Sequence, residues 1–361
     1  MHDLIKNGAD GTRGFKRSNW VLALLALASI PLVAVSCVSL GKSELGERLA
    51  ALDKNAAVGE LKRLNFVADV GGGPRDLELV YHHAPRTNGP GPEGAIPILL
   101  IHGTPSTLYS WSELIHGAEE SSEGPGFEGL AASHEVYAIE VVGHGVAPDD
   151  LAPYTFESCA QFVGAAIRAL GLERVHLVGS SYGGEFVWRA ALNEPELIES
   201  VVLMDSSGVR RREADWLPEE LEMRDNPLAK TGWLINDRER IEVALAPHFR
   251  ELPPDRVEEF FLVCDNASNW KAMVDLARDE NGEREHELSQ LEPPTLLLWG
   301  ADDIAYTLDH YAQRFADEIP DARLIALPET GHYPHEERPA KVVGILNEFF
   351  SELASQPGSS R

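Results

Sequence analysis

Uninterrupted apolar runs alternate with helical patterns along this chain, and this alternation constrains the fold more than any other feature. The runs are rich in valine, isoleucine and leucine and are bounded by turn residues; they cover 95–103, 134–143, 175–180, 200–206, 295–300 and 323–328. The segments between them, such as 156–172, carry apolar residues at helical spacing. Strands that are apolar along their whole length are buried on both faces. The sequence therefore predicts an α/β fold with a mostly parallel central sheet and helices on both faces.

One long segment, residues 208–292, interrupts the alternation. It contains no strand pattern and consists of charged, helical sequence punctuated by prolines, with tryptophan and phenylalanine scattered through it. We predict that it forms a helical cap, or lid, over the edge of the sheet. It would be inserted between two parts of the core, 63–207 and 293–353. The polar tail, 354–361, is expected to be disordered.

The first 36 residues have the composition of an export signal. Arg13, Lys16 and Arg17 precede the apolar run Trp20–Val35, and small residues follow this run. A basic region, an apolar region and a small-residue site in this order are typical of a secretory signal peptide. The run is also shorter than the roughly 20 residues that a membrane-spanning helix needs.

The end of this segment contains AVSC, which resembles a bacterial lipobox and predicts a lipid on Cys37 after cleavage behind Ser36. Ordinary cleavage with secretion is the second interpretation, and an uncleaved anchor is the third. We therefore expect an exported protein that the lipid holds on a membrane, facing the periplasm or the cell exterior, or one that is secreted. Residues 37–62 are predicted to form a polar tether with a helical piece.

The formal net charge of −27 argues against nucleic acid as a partner, because its phosphates repel so acidic a chain. We interpret the acidic residues, and also the short basic cluster at 210–213, as solvated surface. Cys159 and Cys264 are too few for a disulfide scaffold, so we expect buried thiols, although export would allow them to pair. We predict no cofactor and no metal.

The stretch VHLVGSSYGGEF, residues 175–186, places Ser181 where a strand turns into a helix. Gly179 and Gly183 flank this serine in the pattern G-x-S-x-G. A nucleophile on so sharp a turn takes strained backbone angles, and glycine at both flanks removes the collisions of side chains. The amides at the start of the following helix then point at an oxyanion formed beside the serine. The pattern predicts a nucleophile at Ser181.

A serine hydroxyl needs a histidine that takes its proton and a carboxylate that holds the histidine. His332 lies in the loop after the strand at 323–328, and Asp303 lies just past the strand at 295–300. The chain order serine, aspartate, histidine is the one expected of such a site. Asp205, which ends the strand before the lid, is the alternative acid.

Over residues 65–353 the sequence resembles the α/β-hydrolase superfamily, in its serine-nucleophile branch with a helical lid. The matching motifs are IHGTP, GSSYGG, WGADD and GHYPHEERP, in this order. The resemblance implies that the backbone N–H groups of Thr104 and Tyr182 form an oxyanion hole. The family spacing W-G-x-x-D aligns the acid with Asp303, and residues 208–292 match the family's lid.

The identity of the nucleophile narrows the chemistry. Relatives that open epoxides or displace halide attack with an aspartate, whereas this chain has Ser181. We predict a carboxylic-ester hydrolase that forms an acyl-enzyme and acts on small or medium esters or lactones. A carbon–carbon bond hydrolase or an aminopeptidase with the same residues is the alternative among enzymes. A non-catalytic member of the fold that binds a ligand is the alternative from another class.

Overall fold

An eight-stranded sheet carries the candidate site. The computed structural model describes residues 39–89, 91, 94–121, 124–149 and 151–355. The predicted signal peptide, residues 1–36, and Cys37 lie outside the described residues, as do residues 356–361 of the predicted tail.

The described ranges contain ten strands: β1 (Lys62–Asp69), β2 (Pro74–Ala84), β3 (Ile98–Ile101), β4 (Gly117–Ser121), β5 (Gly124–Glu128), β6 (Val136–Ile139), β7 (Val175–Ser180), β8 (Ile198–Met204), β9 (Thr295–Gly300) and β10 (Ala322–Leu327). Across the main sheet their order is β1-β2-β6-β3-β7-β8-β9-β10. The pairs β1–β2 and β2–β6 are antiparallel, and every later pair is parallel. The prediction of a mostly parallel sheet is confirmed.

The α-helices of the same ranges are α1 (Lys42–Ala50), α2 (Ser112–His116), α3 (Phe156–Ala169), α4 (Tyr182–Asn193), α5 (Pro218–Asp225), α6 (Arg238–Leu245), α7 (Pro254–Cys264), α8 (Ala267–Asp279), α9 (Gln313–Glu318), α10 (Pro334–Glu337) and α11 (Pro339–Ser355). The start of α3 is fixed by a capping box. Thr155 Oγ1 accepts from the Ser158 N–H at 3.0 Å, and Ser158 Oγ accepts from the Thr155 N–H at 3.1 Å. These bonds satisfy amides that no helical carbonyl reaches.

Side chains of the central strands alternate between two apolar cores, one on each face of the sheet. In β3, Leu99 and Ile101 belong to one core, and Ile98 and Leu100 belong to the other. Residues of α3, α4 and α9 complete the first core, and residues of α1, α2 and α11 complete the second. Full burial of one such side chain contributes about 1.5–3 kcal/mol, so this doubled apolar pattern fixes the strands inside the molecule.

The lid connects β8 to β9, and between residues 208 and 292 it contains helices and no strand, as predicted. It has an apolar cluster of its own, which includes Ile241, Leu245, Phe249, Phe260, Trp270, Met273 and Val274. The indole N–H of Trp270 donates to the carbonyl of Ala229 at 2.6 Å and ties the segment after α5 to α8. The lid is therefore a packed unit with a defined shape over the sheet.

The segment before β1 differs from the predicted tether. Its helical piece is present as α1, but Leu45 and Leu49 of this helix are fully buried in the second core. The side-chain amide of Asn266, in the lid, also donates to the carbonyl of Leu40 at 2.6 Å. Burial of these two leucines, one helical turn apart, packs the helix against the core, so this segment is part of the folded domain.

A small hairpin, the two cysteines and the lengths of the helices complete the comparison with the sequence-based predictions. The hairpin of β4 and β5 has no counterpart in the sequence-based prediction. Cys159 and Cys264 are buried and free, so they do not pair with each other. Within the part of the chain that the structure describes, no helix is long and apolar enough to cross a membrane.

Candidate active site

Ser181 lies on the turn between β7 and α4, with φ +54° and ψ −125°. Residues other than glycine rarely adopt this conformation, which costs about 1–3 kcal/mol. Neighbouring backbone holds the turn in place. The Ser181 N–H donates to the carbonyl of Met204 on β8 at 2.9 Å, and the Gly184 N–H donates to the Ser181 carbonyl at 3.0 Å. The strain is thus supported by the adjacent strand.

Three glycines allow this turn to pack against the end of β3. A Cβ atom on Gly179 would lie 2.4 Å from the carbonyl oxygen of Gly183. A Cβ atom on Gly183 would lie 2.4 Å from the carbonyl oxygen of His102, and one on Gly103 would lie 2.7 Å from Cβ of Ser181. The neighbours are backbone atoms and a fixed Cβ, which cannot rotate away. A larger residue at any of these positions would displace the turn.

His332 and Asp303 lie together at the carboxyl end of the sheet. Nδ1 of His332 and Oδ2 of Asp303 are 2.9 Å apart, and both side chains are buried. Asp303 Oδ1 accepts from the Ala305 N–H at 2.8 Å. Burial favours the neutral acid, but the facing imidazole and these hydrogen bonds outweigh it and hold the pKa of Asp303 below its usual range. The pair is arranged as an ionised carboxylate that accepts from the histidine ring.

Asp205, the alternative acid, lies beside this pair. A carboxylate oxygen of Asp205, a carboxylate oxygen of Asp303 and a ring nitrogen of His332 all lie within 4.8 Å of one another. Oδ1 of Asp205 accepts from the Gly300 N–H at 2.9 Å, whereas its buried Oδ2 has no donor among the described residues. Burial and then the charge of Asp303 raise the pKa of Asp205 well above its usual range. A proton on Asp205 would supply the missing donor between the two carboxyl groups.

These three side chains are also the one cluster in the described ranges whose donor atoms lie close enough to share a metal ion. Hydrogen bonds already engage one oxygen of Asp205, both oxygens of Asp303 and one ring nitrogen of His332. We therefore interpret the cluster as a hydrogen-bonded acid–base group.

The loop that carries Thr104 passes directly beside the turn at Ser181. His102 accepts from the Val141 N–H through Nε2 at 3.0 Å and donates from Nδ1 to the Gly103 carbonyl at 2.7 Å. Oγ1 of Thr104 and Nε2 of His144 are 2.6 Å apart and share a hydrogen bond. Two buried histidines therefore shape this loop.

A single cavity of about 490 Å³ joins the predicted site residues to the lid. Thr104, Ser181, Tyr182 and His332 line its inner end. The lid and Tyr333 supply mainly apolar walls, among them Leu245, Phe260, Trp270, Met273 and Tyr333. Apolar walls around a few convergent polar groups are typical of sites for small organic molecules.

A buried polar network behind Tyr182 was not anticipated from the sequence. Glu280 accepts from the hydroxyl of Tyr182 at 2.7 Å and from that of Tyr306 at 2.9 Å. Arg211, interpreted above as part of a solvated cluster, has a fully buried side chain that pairs with Glu220 at 2.8 Å. That interpretation is wrong for Arg211, because the carboxylates of Glu220 and Glu280, 2.8 and 3.8 Å from its guanidinium, neutralise its charge inside the protein. No local pattern around these residues indicates the network.

The lid also places His248 against the candidate site. The backbone N–H of His332 donates to the backbone carbonyl of His248 at 2.8 Å, and the centroids of the two imidazole rings lie 5.7 Å apart. Burial, followed by the neighbouring His332, lowers the pKa of His248 to about 4, so its ring is neutral at neutral pH. A lone histidine between proline-rich helices gives no sequence signal for this position.

A mostly parallel eight-stranded sheet, a strained serine between strand and helix, and a lid over the carboxyl end together define a hydrolase of the α/β fold. The model of the alpha/beta hydrolase family matches residues 98–345. The chain belongs to this family, as its motifs implied.

Several curated relatives carry hydrolase names. An uncharacterized hydrolase of Bacillus subtilis (strain 168), YugF, is 25% identical over 259 residues, which are 71% of this chain and 90% of that protein. The 2-hydroxymuconate semialdehyde hydrolase of Pseudomonas sp. (strain CF600) is 27% identical over 278 residues, 74% of this chain and 91% of that protein.

Solved structures show the same fold. A membrane phospholipase A described as a bacterial virulence factor superposes with a TM-score of 0.65 at 24% identity, over 93% of this chain and 99% of that one. A thermophilic esterase from Thermogutta terrifontis superposes with a TM-score of 0.64 at 19% identity, over 81% of this chain and 99% of that one. At these identities the likeness concerns the fold alone.

Proposed function

We propose that this chain is a serine hydrolase that cleaves carboxylic esters or lactones through an acyl-enzyme. One observation carries the proposal: the strained Ser181 lines the same cavity as His332, and His332 shares a 2.9 Å hydrogen bond with Asp303. A strained residue in an apolar cavity, beside a histidine held by a buried carboxylate, has the composition of an activated nucleophile.

In the proposed mechanism Oγ of Ser181 attacks the ester carbonyl while Nε2 of His332 takes the hydroxyl proton. Asp303 orients the ring through Nδ1 and stabilises the imidazolium that forms. The N–H groups of Thr104 and Tyr182 would donate to the oxyanion. His332 then protonates the leaving alcohol and afterwards activates the water that releases the acid. The residues named here supply the whole proton transfer, so we propose no cofactor.

A carbon–carbon bond hydrolase is the second candidate, because the relative from Pseudomonas sp. (strain CF600) is named for 2-hydroxymuconate semialdehyde. The same serine, histidine and aspartate would serve that reaction, with carbon in place of oxygen in the leaving group. A rate on 2-hydroxymuconate semialdehyde that exceeds every ester rate would favour this candidate. A peptidase that releases N-terminal residues is distinguished by its rate on aminoacyl anilides.

We further propose that the protein is exported and carries a lipid on Cys37. The basic residues and the apolar run Trp20–Val35 before AVSC support this proposal. Mass spectrometry of the mature N-terminus is the measurement, and an acylated Cys37 is the expected result. An unmodified mature N-terminus would indicate secretion without an anchor.

A fluorophosphonate probe tests the nucleophile, because it labels only activated serines. We expect labelling of the wild type and of Ser180→Ala, a matched control that removes the neighbouring hydroxyl, and no labelling of Ser181→Ala. Persistent labelling of Ser181→Ala would refute the assignment. An unlabelled wild type would favour a non-catalytic, ligand-binding member of the fold. Esters of graded acyl length then define the preferred substrate.

A further inference from the structure

Three exposed apolar side chains lie at the outer end of the cavity, among the exposed polar residues Glu222, Thr231 and Arg240. Leu228, Leu234 and Ile235 line the same cavity as Ser181 and His332. These three residues are nevertheless 69%, 46% and 57% exposed. Side chains that line a cavity and also face solvent lie at its opening, and we call these three residues the lid rim. Clustered apolar residues at an opening mark a surface that contacts a partner or a membrane.

The chain enters the described structure in contact with the lid. Asn266 holds the carbonyl of Leu40 at 2.6 Å. Two residues earlier, the carbonyl of Cys264 accepts from the side-chain amide of Asn236 at 3.4 Å, and Asn236 directly follows Ile235. With about 3.8 Å between successive Cα atoms, these contacts keep the entry of the chain within roughly 30 Å of the lid rim.

The sequence just before this entry is apolar. Ser39, whose hydroxyl accepts from the Ala267 N–H at 2.8 Å, is separated from the run Trp20–Val35 by only three residues. The run contains no charged residue, and Cys37, the predicted lipid site, lies two residues before Ser39. Either the lipid or the run itself would hold a bilayer next to the lid, because an extended chain spans only about 3.5 Å per residue.

We propose that the lid rim lies against a lipid bilayer and that the cavity takes its substrate from this bilayer, which makes membrane-lipid esters the substrate class. The substrate class rests on the proposed function, whereas the membrane contact is argued from the exposed lid rim and from the point where the chain enters the described structure. The net charge of −27 opposes attraction to anionic headgroups. Apolar contact together with the anchor therefore holds the lid on the membrane.

Fluorescence quenching tests the surface without reference to activity. The full chain is reconstituted in phosphatidylcholine vesicles that contain brominated acyl chains, with a tryptophan introduced by Leu234→Trp or, as the control, by Val67→Trp. Val67 is 67% exposed and lies on β1, the edge strand farthest from β10 in the sheet order. We expect the added emission of Leu234→Trp to be quenched at least twofold more than that of Val67→Trp. Equal quenching of the two variants would refute the proposal that the lid rim contacts the bilayer.

Hydrolysis by the same full chain tests the substrate class. The readout is the ratio of fatty-acid release from phosphatidylcholine vesicles to hydrolysis of soluble p-nitrophenyl butyrate. We expect Leu234→Ser/Ile235→Ser to lower this ratio at least tenfold, and Val67→Ser to leave it unchanged within twofold. An unchanged ratio in the rim variant would overturn the proposal.

The two measurements separate the two proposals. Quenching of Leu234→Trp in a protein inert on both esters would support the membrane surface and refute the esterase. Butyrate hydrolysis without such quenching would support the esterase and refute the surface. If the rim tryptophan stays unquenched while the protein forms a concentration-dependent dimer, the rim belongs to a second copy and the lipid proposal is wrong.

Discussion

The relation between Asp205 and Asp303 yields the sharpest prediction for the candidate site. Their carboxyl groups belong to a cluster of atoms within 4.8 Å of one another. At this distance and an effective dielectric constant of about 20, two unit charges repel by about 3.5 kcal/mol. This repulsion, added to burial, favours one ionised and one protonated carboxyl. The pKa directions assign the charge to Asp303 and the proton to Asp205.

We predict that Asp205 is protonated and donates a hydrogen bond that positions Asp303. In Asp205→Asn an amide can donate to Asp303 and still accept from the Gly300 N–H, so we expect kcat/KM to stay within about fivefold of wild type. Asp205→Ala loses both bonds. A hydrogen bond to a charged group contributes about 1.5–3 kcal/mol, which corresponds to roughly 10- to 150-fold in kcat/KM.

The comparison that decides the assignment is Asp303→Asn, which leaves the imidazole without an ionised partner. We expect kcat to fall by on the order of 10³- to 10⁴-fold, a loss similar to the one that follows when asparagine replaces the aspartate of a serine protease triad. The assay is steady-state hydrolysis of a soluble ester, with thermal unfolding as the control for folding. A large loss in Asp205→Asn and a mild one in Asp303→Asn would reverse the two roles. Equal losses in the asparagine and alanine variants of Asp205 would refute the hydrogen-bond reasoning.

Three further predictions concern the scaffold. Gly183→Ala should abolish probe labelling because its Cβ would lie 2.4 Å from a backbone carbonyl, whereas Gly344→Ala, in open space on α11, should raise stability by about 0.5–1 kcal/mol and retain labelling. Leu45→Ala should cost about 2–5 kcal/mol in urea unfolding, and a loss below 1 kcal/mol would show that α1 is not docked. Burial, followed by the charge of His134, lowers the pKa of His176 in the folded protein to about 3. The folded state therefore loses stability as pH falls below about 6.5, the pKa of this histidine in the unfolded chain, because only the unfolded chain then takes up the proton. Between pH 7.5 and 5.5 the wild type should therefore lose about 1.3 kcal/mol more than His176→Asn, and equal losses would contradict this.

The central sheet was predictable because burial on both faces demands apolar residues at every position. Residues 175–180 and 295–300 carry that pattern, and their strands have the predicted bounds. The antiparallel start of the sheet was not predictable in the same way, because β1 alternates exposed and half-buried residues. Such a pattern identifies an edge strand but not the direction of its partner.

Contacts between distant segments account for what the sequence did not indicate. The docking of α1 depends on Leu45 and Leu49, two leucines in a polar stretch, and on lid residues more than two hundred positions away. The burial of Arg211 depends on Glu280, 3.8 Å from its guanidinium, and on the ring of Tyr306, whose centroid lies 5.1 Å away. Composition shows a basic cluster there, but it does not show which charge finds a partner.

The two candidate acids illustrate the same limit at the site itself. Asp205 follows β8, and Asp303 lies three residues past the end of β9; because these strands are parallel neighbours, their carboxyl ends place the two acids side by side. The strand pattern already implied this proximity, but the sequence-based prediction names the two residues as alternatives. The loop after β10 decides which of them meets His332, and a loop conformation cannot be read from strand patterns. The structure places Asp303 2.9 Å from the imidazole and Asp205 beside them both, and we predict that Asp303 is the ionised carboxylate and Asp205 a carboxylic acid that donates to it.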